Sequence, residues 1–311
     1  MANQNFIIGV KTRFFFGLMP ASLLALATPT RPTDVVVTTT SSTNAAATSM
    51  AVSALSGPIA KGTPIAMTTA ASTVIVTTSA TAGIGAVSLA VSALSAAIPS
   101  GSIIDFNGEE VVTTANAASG ATTISIQPLV YGIASGSLGR YVATTVTPVI
   151  VYTTADAATG ATSISIEAQT GRTTIASGDV GLHRGVVLLQ GGTTSNEQLQ
   201  SQNTETRVYE PRLPYSTGII TGATWSVSYT TNVLPTDIGF FRLNYAGAYA
   251  LDGVRGWVFK QDPVPAGYTV GDSIQGLCDV TDFQKTNPAD GIITATCTFT
   301  GRGAPTIGHA A

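Results

Sequence analysis

One short pattern decides the fold of the first half of this chain, and its clearest copy is Ala121-Thr122-Thr123-Ile124-Ser125-Ile126. Isoleucine alternates with serine or threonine, which is the two-residue period of a β-strand with one apolar and one polar face. Related hexapeptides begin at residues 47, 86 and 161, so the pattern occurs four times. Recurrence at a regular spacing indicates an internal repeat, and the alternation makes that repeat a β-structure.

Two further markers frame each copy of the pattern. A β-branched run precedes it, as in VVVT at 35–38, and an Ile-x-x-Gly turn follows it, as in IPSG at 98–101. Runs rich in Val, Ile and Thr that are bounded by Gly are typical of short strands joined by turns. The sequence therefore predicts a domain of four short β-repeat units over 35–184. These units resemble the Ala/Thr/Gly-rich β modules that recur in structural proteins of tailed bacteriophages.

The composition is unusual for a freely diffusing protein. Of 311 residues, 14 are Lys or Arg and 17 are Asp or Glu, so charged residues make up 10% and the net charge is −3. An ordinary soluble domain carries about 25% charged residues. The mean hydropathy of +0.32 excludes a disordered chain, and the lack of basic excess argues against tight nucleic-acid binding. We interpret the low charge as a sign that neighbouring subunits cover much of the surface.

The N-terminal region has two interpretations. Basic residues at 11 and 13, an apolar run over 14–27 and the Ala-Leu-Ala at 25–27 resemble a secretory signal peptide. The run is shorter than the roughly 20 residues that span a bilayer, so we expect no membrane contact. We favour an N-terminal arm over 1–34 that makes inter-subunit contacts through its large apolar side chains, Phe14, Phe15, Phe16 and Leu18.

From about Leu188 the repeat stops and the composition changes, with more aromatic and amide side chains. The pattern predicts strands over 222–230, 239–243, 253–259, 273–281 and 291–299. Within the first of these, Trp225, Val227 and Tyr229 alternate with polar residues. We expect the single short helix within 245–251, and a loop or a short polar helix over 193–206.

The order of motifs in this half resembles the major tail tube protein of long-tailed bacteriophages. The resemblance rests on Trp225-Ser226-Val227-Ser228, Trp257-Val258-Phe259, Val280-Thr281-Asp282-Phe283 and the Gly-Arg-Gly at 301–303, with their spacing. It implies an all-β fold, a tail-tube-type β-sandwich or barrel with one short helix over 185–311. It also implies hexameric rings that stack into a tube through which viral DNA passes.

The same resemblance implies the partners and the location of the protein. The partners would be other copies of this chain, the tape-measure and tail-terminator proteins, and baseplate or tip proteins. The location would be the tail of the virion, after assembly in the host cytoplasm. Residues that we expect in the core or at a subunit interface are Phe14, Phe15, Phe16, Leu18, Trp225, Val227, Tyr229, Trp257, Phe259 and Phe283.

Residues that could carry catalysis are scarce. His183 and His309 are the two histidines, and the sequence contains no nucleophile elbow, phosphate-binding loop or His-Glu-x-x-His motif. We therefore expect no enzyme, no cofactor and no metal site. The adjacent Glu109 and Glu110 would point to opposite faces of a strand, and we interpret them as part of a solvated turn.

Two other groups of residues have open interpretations. Aspartates at 279, 282 and 290 could bind Ca²⁺, but their spacing does not match an EF-hand, and we interpret them as a polar turn. Cys278 and Cys297 flank a turn at 286–288, so they could form a disulfide or stay as two small buried side chains.

The sequence thus predicts an arm at 1–34, an outward-facing four-unit repeat domain at 35–184 and a tube-like domain at 185–311. The functional hypothesis is a structural virion protein, the major tail tube subunit. A phage capsid-decorating or neck protein is the first alternative, and a secreted bacterial β-repeat adhesin is the second.

Overall fold

A computed structural model describes residues 12–143, 148–168, 174–189, 192–206, 217–233, 238–249, 252–263, 271–286 and 292–309. Most of this part of the chain is β-structure, which confirms the prediction of an all-β fold. Two α-helices occur in it, a single turn α1 (Ala21–Leu24) and the longer α2 (Ile238–Ala248).

The strands, in chain order, are β1 (Arg13–Leu18), β2 (Val35–Thr38), β3 (Ser49–Ala51), β4 (Pro64–Thr68), β5 (Thr73–Thr77), β6 (Ser88–Ala90), β7 (Ile103–Phe106), β8 (Glu109–Val112), β9 (Thr123–Ser125), β10 (Leu138–Val142), β11 (Val149–Tyr152), β12 (Ser163–Ser165), β13 (Val180–His183), β14 (Val187–Leu188), β15 (Gly192–Thr206), β16 (Thr217–Asn232), β17 (Gly256–Gln261), β18 (Ser273–Thr286), β19 (Thr294–Gly301) and β20 (Thr306–Gly308).

The four repeat units pair in a nested order. The first unit pairs with the fourth through β3 and β12, where Met50 lies opposite Ile164. The second pairs with the third through β6 and β9, where Leu89 lies opposite Ile124. In all four strands the central apolar side chain is fully buried, as the period-two pattern requires. Two modules result, which we name the enclosing module (units one and four) and the inserted module (units two and three).

Each module has its own apolar core and its own four-stranded sheet. The sheet of the enclosing module has the order β11-β4-β13-β2, and that of the inserted module has the order β5-β10-β7-β8. The core residues fall into two separate clusters, with no residue shared between them. Because each cluster draws on both of its units, neither unit of a pair can bury its apolar face alone.

A buried threonine in each unit completes the turn of the partner unit. The Oγ1 atoms of Thr39 and Thr153 donate to the carbonyls of Ala176 and Ala60, at 2.6 and 2.8 Å. Equivalent bonds of 2.7 Å join Thr78 to Ala134 and Thr113 to Pro99. Each acceptor lies in an Ile-x-x-Gly turn, and the N–H of that glycine donates back to the carbonyl of the same threonine. The four glycines have φ between +77° and +87°, which explains why glycine ends each turn.

The large sheet is discontinuous in sequence. Its strand order is β14-β1-β17-β18-β19-β16-β15, with β20 paired to β18. β1 comes from the segment that we assigned to an arm, yet it lies between β14 and β17 of the same chain. Both repeat modules are therefore inserted between the first and second strands of this sheet. The boundaries at 34 and 185 change accordingly, whereas contacts of the N-terminal region with another subunit stay a prediction.

The large sheet rolls up so that distant strands meet. The rings of Phe14 on β1 and Tyr229 on β16 stack with centroids 4.5 Å apart, although three strands lie between them. In a flat sheet, four spacings of about 4.8 Å would hold them about 19 Å apart. An ion pair of 3.1 Å between Lys260 on β17 and Glu197 on β15 closes the roll. The inner face of the roll is the core, and Leu243 and Ala246 of α2 pack into it.

Two elements differ from the sequence-based prediction. Residues 239–243, predicted as a strand, lie in α2, whose C-terminal part overlaps the helix predicted at 245–251. A helix is more favourable here than a strand, because it directs both Leu243 and Ala246, three residues apart, into the core. Residues 193–206, predicted as a loop or polar helix, form β15. The strand showed no apolar alternation because residues 192–200 are exposed on both faces, apart from the half-buried Ser195.

Candidate assembly surface

The ten residues predicted for the core or an interface fall into two groups around the rolled sheet. Phe14, Phe16, Leu18, Trp225, Val227 and Tyr229 are buried inside the roll. Phe15 and Trp257 are buried in a second cluster on the outside of β1 and β17, against which the half-buried Phe259 packs. Phe283 is half-buried, and its ring lies 6.0 Å from that of Phe240 on α2. The structure thus gives each of the ten a contact within its own subunit.

Trp225 occupies a place inside the roll that two glycines keep open. A Cβ on Gly301 would overlap the indole ring, and one on Gly276 would lie 2.7 Å from it. The indole Nε1 donates to the Gly303 carbonyl at 2.8 Å. Only 3% of the side chain is exposed, so Trp225 serves the core of its own subunit.

The outer face of the roll divides into an apolar half and a polar half. Over β14, β1 and β17 the second cluster is covered by α1, which contributes Leu23 and Leu24. Over residues 194–200 of β15, 224–230 of β16 and 296–300 of β19, the outward side chains are hydroxyls and amides. We name this second half the hydroxyl face; it consists of Thr194, Asn196, Gln198, Gln200, Thr224, Ser226, Ser228, Thr230, Thr296, Thr298 and Thr300.

Strand register brings the hydroxyl face together. Ser226, Ser228 and Thr230 of β16 lie directly opposite Thr300, Thr298 and Thr296 of β19. On the other side of β16, the polar residues of β15 continue the same rows. Directly opposed residues share a face, so the rows form one continuous surface with no charged side chain among its members. A hydroxyl–hydroxyl bond of 3.1 Å joins Thr230 and Thr296.

The border of the hydroxyl face on β18 carries two aspartates, one of which is paired with arginine. Asp279 lies opposite Thr300, and Asp282 lies opposite Thr298 beyond a β-bulge. Asp279 forms ion pairs with Arg302 and, at 3.6 Å, with Arg255, whereas Asp282 is exposed. The polar half of the sheet therefore presents hydroxyls, amides and, along one margin, carboxylates.

β15 is an open edge strand of 15 residues. Within the described part of the chain it pairs with β16 alone. β19 pairs with β16 only at residues 226–232, so residues 217–225 and their β15 partners form a two-stranded ribbon that extends beyond the sheet. An unpaired edge of this length is a template for strand addition, and an isolated ribbon has little stability of its own.

A buried charged cluster joins the two modules to the large sheet. The Arg184 guanidinium donates to Asp34 at 2.8 Å and to the Asp105 carbonyl of the inserted module at 2.8 Å. Arg242 of α2 is fully buried and donates to the Gly185 carbonyl at 3.3 Å. Burial, more than the positive Arg184 nearby, lowers the pKa of Arg242 to about 10. Burial and the charge of Arg242 hold the pKa of His183 well below its usual value.

The residues considered for catalysis or metal binding do not come together. His183 is buried, whereas the His309 side chain is exposed and lies 3.9 Å from Asp272. Across the residues that the structure describes, no three His, Cys, Asp or Glu side chains are grouped to hold a metal ion. Asp290 lies outside the described residues. Glu110 is exposed, but Glu109 is buried, which corrects the interpretation of both as a solvated turn, and burial raises the pKa of Glu109.

The two cysteines are free and buried. They lie on the predicted hairpin, but Cys278 is opposite Gly301 and Cys297 is opposite Phe283, so they are not cross-strand neighbours. Burial raises the pKa of the Cys297 thiol to about 12 and that of Cys278 well above its usual value. Where helices are described, none combines the length and the apolar character needed to cross a membrane.

Sequence reasoning missed the hydroxyl face, although half of its signal is visible. Ser and Thr alternate with buried residues at 226–230 and again at 294–300, which is the period of two half-buried strands. The β15 contribution has no such signal, because the intervening residues 193, 195 and 197 are polar too and only Leu199 is apolar.

Comparisons with known proteins add little to this description. No protein-family model matches the sequence, and no curated protein matches it. Solved structures similar to this chain are the tail of an empty gene transfer agent particle, from helical refinement with C6 symmetry, and the virion of a native gene transfer agent particle. In both cases the identity is 12%, the TM-score is 0.31 and 40% of this chain is covered, together with 87% and 88% of the other chains. Similarity at this level establishes neither a shared fold nor a shared function.

Proposed function

We propose that this chain is a structural virion protein, the major tail tube subunit of a long-tailed bacteriophage, which forms stacked hexameric rings around a DNA-conducting channel. The hydroxyl face carries the proposal. It is an ordered surface on three adjacent strands that is polar and has no charged side chain among its members.

Such a face suits the lining of a channel through which DNA slides. Duplex DNA carries one negative charge per roughly 1.7 Å of its axis, and each Lys or Arg that neutralises a phosphate adds affinity by releasing counterions. A cationic lining would therefore hold the DNA. Hydroxyls and amides hydrate the surface without that attraction.

The open edge of β15 supports the polymeric state. Soluble proteins protect long edge strands, because the unpaired N–H and C=O groups of an edge recruit other strands. Here the edge and the two-stranded ribbon are left open within the described residues. A second copy of the chain would supply the missing neighbour, and the charge content of 10% agrees with a surface that is covered after assembly.

The proposal places the protein in the virion tail after assembly in the host cytoplasm. Its partners would be other copies, the tape-measure and tail-terminator proteins, and baseplate or tip proteins, and it would have no enzymatic activity, no cofactor and no membrane contact. The repeat modules would project outward from the tube wall.

Electron microscopy of the purified protein in negative stain tests the assembly. Hexameric rings or open-ended tubes are expected. Monomers that never assemble, and that bind only to capsids, would overturn the proposal in favour of a capsid-decorating or neck protein. The observation that favours this second candidate is that the two repeat modules possess complete cores of their own.

A charge placed on the hydroxyl face tests the channel. Thr296 is exposed on β19, and the matched pair Thr296→Lys and Thr296→Gln changes its charge at similar length. Tubes of the lysine variant should retain short duplex DNA at low salt and release it as salt rises, while wild-type and glutamine tubes should not. Equal retention by the lysine and glutamine variants would show that Thr296 does not line the channel.

A further inference from the structure

The large sheet has β15 at one edge and β14 at the other, and the inserted module of the same chain covers the β14 edge. β14 is the strand at that edge, and the N–H of Leu189 donates to the Phe14 carbonyl at 2.7 Å. Backbone groups of alternate residues point to opposite sides of a strand. The backbone groups of Val186 and Leu188 therefore point away from β1, toward the position that a further strand would occupy.

The side-chain amide of Asn107 fills that position. Its Nδ2 donates to the Val186 carbonyl at 2.9 Å, and its Oδ1 accepts from the Leu188 N–H at 3.3 Å. In a parallel pair of strands, one residue accepts from the N–H of residue i+1 on the neighbouring strand and donates to the C=O of residue i−1. The Asn107 amide makes the same two bonds to Leu188 and Val186. Asn107 thus imitates an added strand.

The backbone at Asn107 is shaped for this contact. Asn107 and Gly108 form the turn between β7 and β8, with φ of +56° and +89°. Asn-Gly with both φ values positive is the preferred two-residue hairpin turn. The tip lies tightly against β14, since a Cβ on Gly108 would overlap the Leu188 side chain.

Contacts behind the tip hold the inserted module in place. Arg184 donates to the carbonyl of Asp105 on β7 and to that of Leu138 on β10. On the other flank, the Arg13 guanidinium of β1 lies 4.4 Å from the centre of the Tyr131 ring. The N–H of Tyr131 donates to the buried Glu109 at 3.3 Å.

We propose that residues 186–188 are a docking surface for the β15 edge of a second copy, and that Asn107 is a cap that keeps this surface closed until assembly. The identity of the partner rests on the proposed function. Among the strands that the structure describes, β14 and β15 end the large sheet, so joining one to the other extends it. A chain with both ends open would add copies without control.

Removing the amide while keeping the turn tests the cap. Asn107→Gly keeps the positive φ and deletes both hydrogen bonds; at about 1 kcal/mol each, their loss raises the open fraction about thirtyfold. We expect self-association, followed by light scattering, to accelerate by about that factor. Asn116→Ala is the control, because the Asn116 amide also accepts a backbone N–H, that of Ser100 at 2.7 Å, but within the module. This control should associate at the wild-type rate.

A second variant shows whether β15 is the occupant. Adding Asn196→Lys, a charge in the middle of β15, to Asn107→Gly should return association to the wild-type rate. Acceleration that persists in this double variant, or an Asn107→Gly rate equal to that of the control, would overturn the proposal. If Asn107→Gly loses the native circular dichroism spectrum, Asn107→Asp replaces it. This variant keeps the acceptor and loses the donor, so about a fivefold acceleration is expected and an unchanged rate overturns the cap.

The outcome separates the cap from the tube function. If Asn107→Gly associates faster than the wild type but neither protein forms rings or tubes, the result supports the cap and refutes the tube function. Tubes from both proteins at equal rates would support the tube and refute the cap.

Discussion

Thr78→Val should raise the population of molecules in which the inserted module is unfolded and leave the enclosing module unaffected. Thr78 is in unit two, and its buried hydroxyl donates to the Ala134 carbonyl at 2.7 Å and accepts from the Ser137 N–H at 2.9 Å. Both of these partners are in unit three. Valine has nearly the same shape but no hydroxyl, so the change removes both of these hydrogen bonds and leaves the Ser137 N–H with its 3.3 Å bond to the Ala134 carbonyl.

The size of the effect follows from those two hydrogen bonds. Each hydrogen bond contributes about 0.5–1.5 kcal/mol net, so the loss of two should raise the open population of the inserted module between about fivefold and about a hundredfold. Amide hydrogen exchange in the native state measures this population segment by segment. We expect β6 and β9 to exchange faster together, because they share one core, and β3 and β12 to keep their wild-type rates.

A matched variant reverses the pattern. Thr153 in unit four donates to the Ala60 carbonyl at 2.8 Å and accepts from the Thr63 N–H at 2.9 Å, both in unit one. Thr153→Val should accelerate exchange in β3 and β12 alone, and Thr78→Ser, which keeps the hydroxyl, should have a smaller effect than Thr78→Val. The nested pairing would be refuted if Thr78→Val accelerated exchange in units one and two while unit three kept its protection.

Four other changes have defined outcomes. Trp225→Asp should abolish folding of the large sheet, seen as rapid cleavage within β15–β20 in limited proteolysis, because an unpaired buried charge costs several kcal/mol; resistance equal to that of the wild type would place Trp225 outside the core. Replacing residues 73–142 with a short Gly-Ser linker should leave the remaining protein resistant to limited proteolysis, because Thr73 and Val142 are paired neighbours at the base of the inserted module. The urea midpoint should be constant between about pH 7 and pH 8 and fall below about pH 6.5, because His183 stays neutral when folded but gains a proton when unfolded, and His183→Gln should flatten this fall. Cys278 and Cys297 should react with a thiol reagent at pH 8 only in denaturant, since burial keeps both thiols protonated; rapid labelling of native protein would contradict this.

The sequence by itself determined the β-structure and much of the core. The alternation around Ile124 and Ile164 predicted strands with one buried face, and both side chains are fully buried. Phe14, Phe16 and Trp225 stood out as large aromatic side chains in a chain with 7% aromatic residues, and they lie in the core of the rolled sheet. These are local properties, because the side-chain period and the side-chain size depend only on residues that are close together in the sequence.

Tertiary structure alone decided which elements meet. The repeat units present similar apolar strands, so their sequences do not say that unit one pairs with unit four and unit two with unit three. β1 joins the large sheet across an insertion that contains both modules, and β15 becomes a strand only because β16 pairs with it. The Asn-Gly turn at 107–108 is a recognisable hairpin signal, but its contact with β14 joins residues about 80 positions apart. Hydrogen bonds and buried surface across such separations depend on the folded arrangement of the whole chain, which local pattern does not encode.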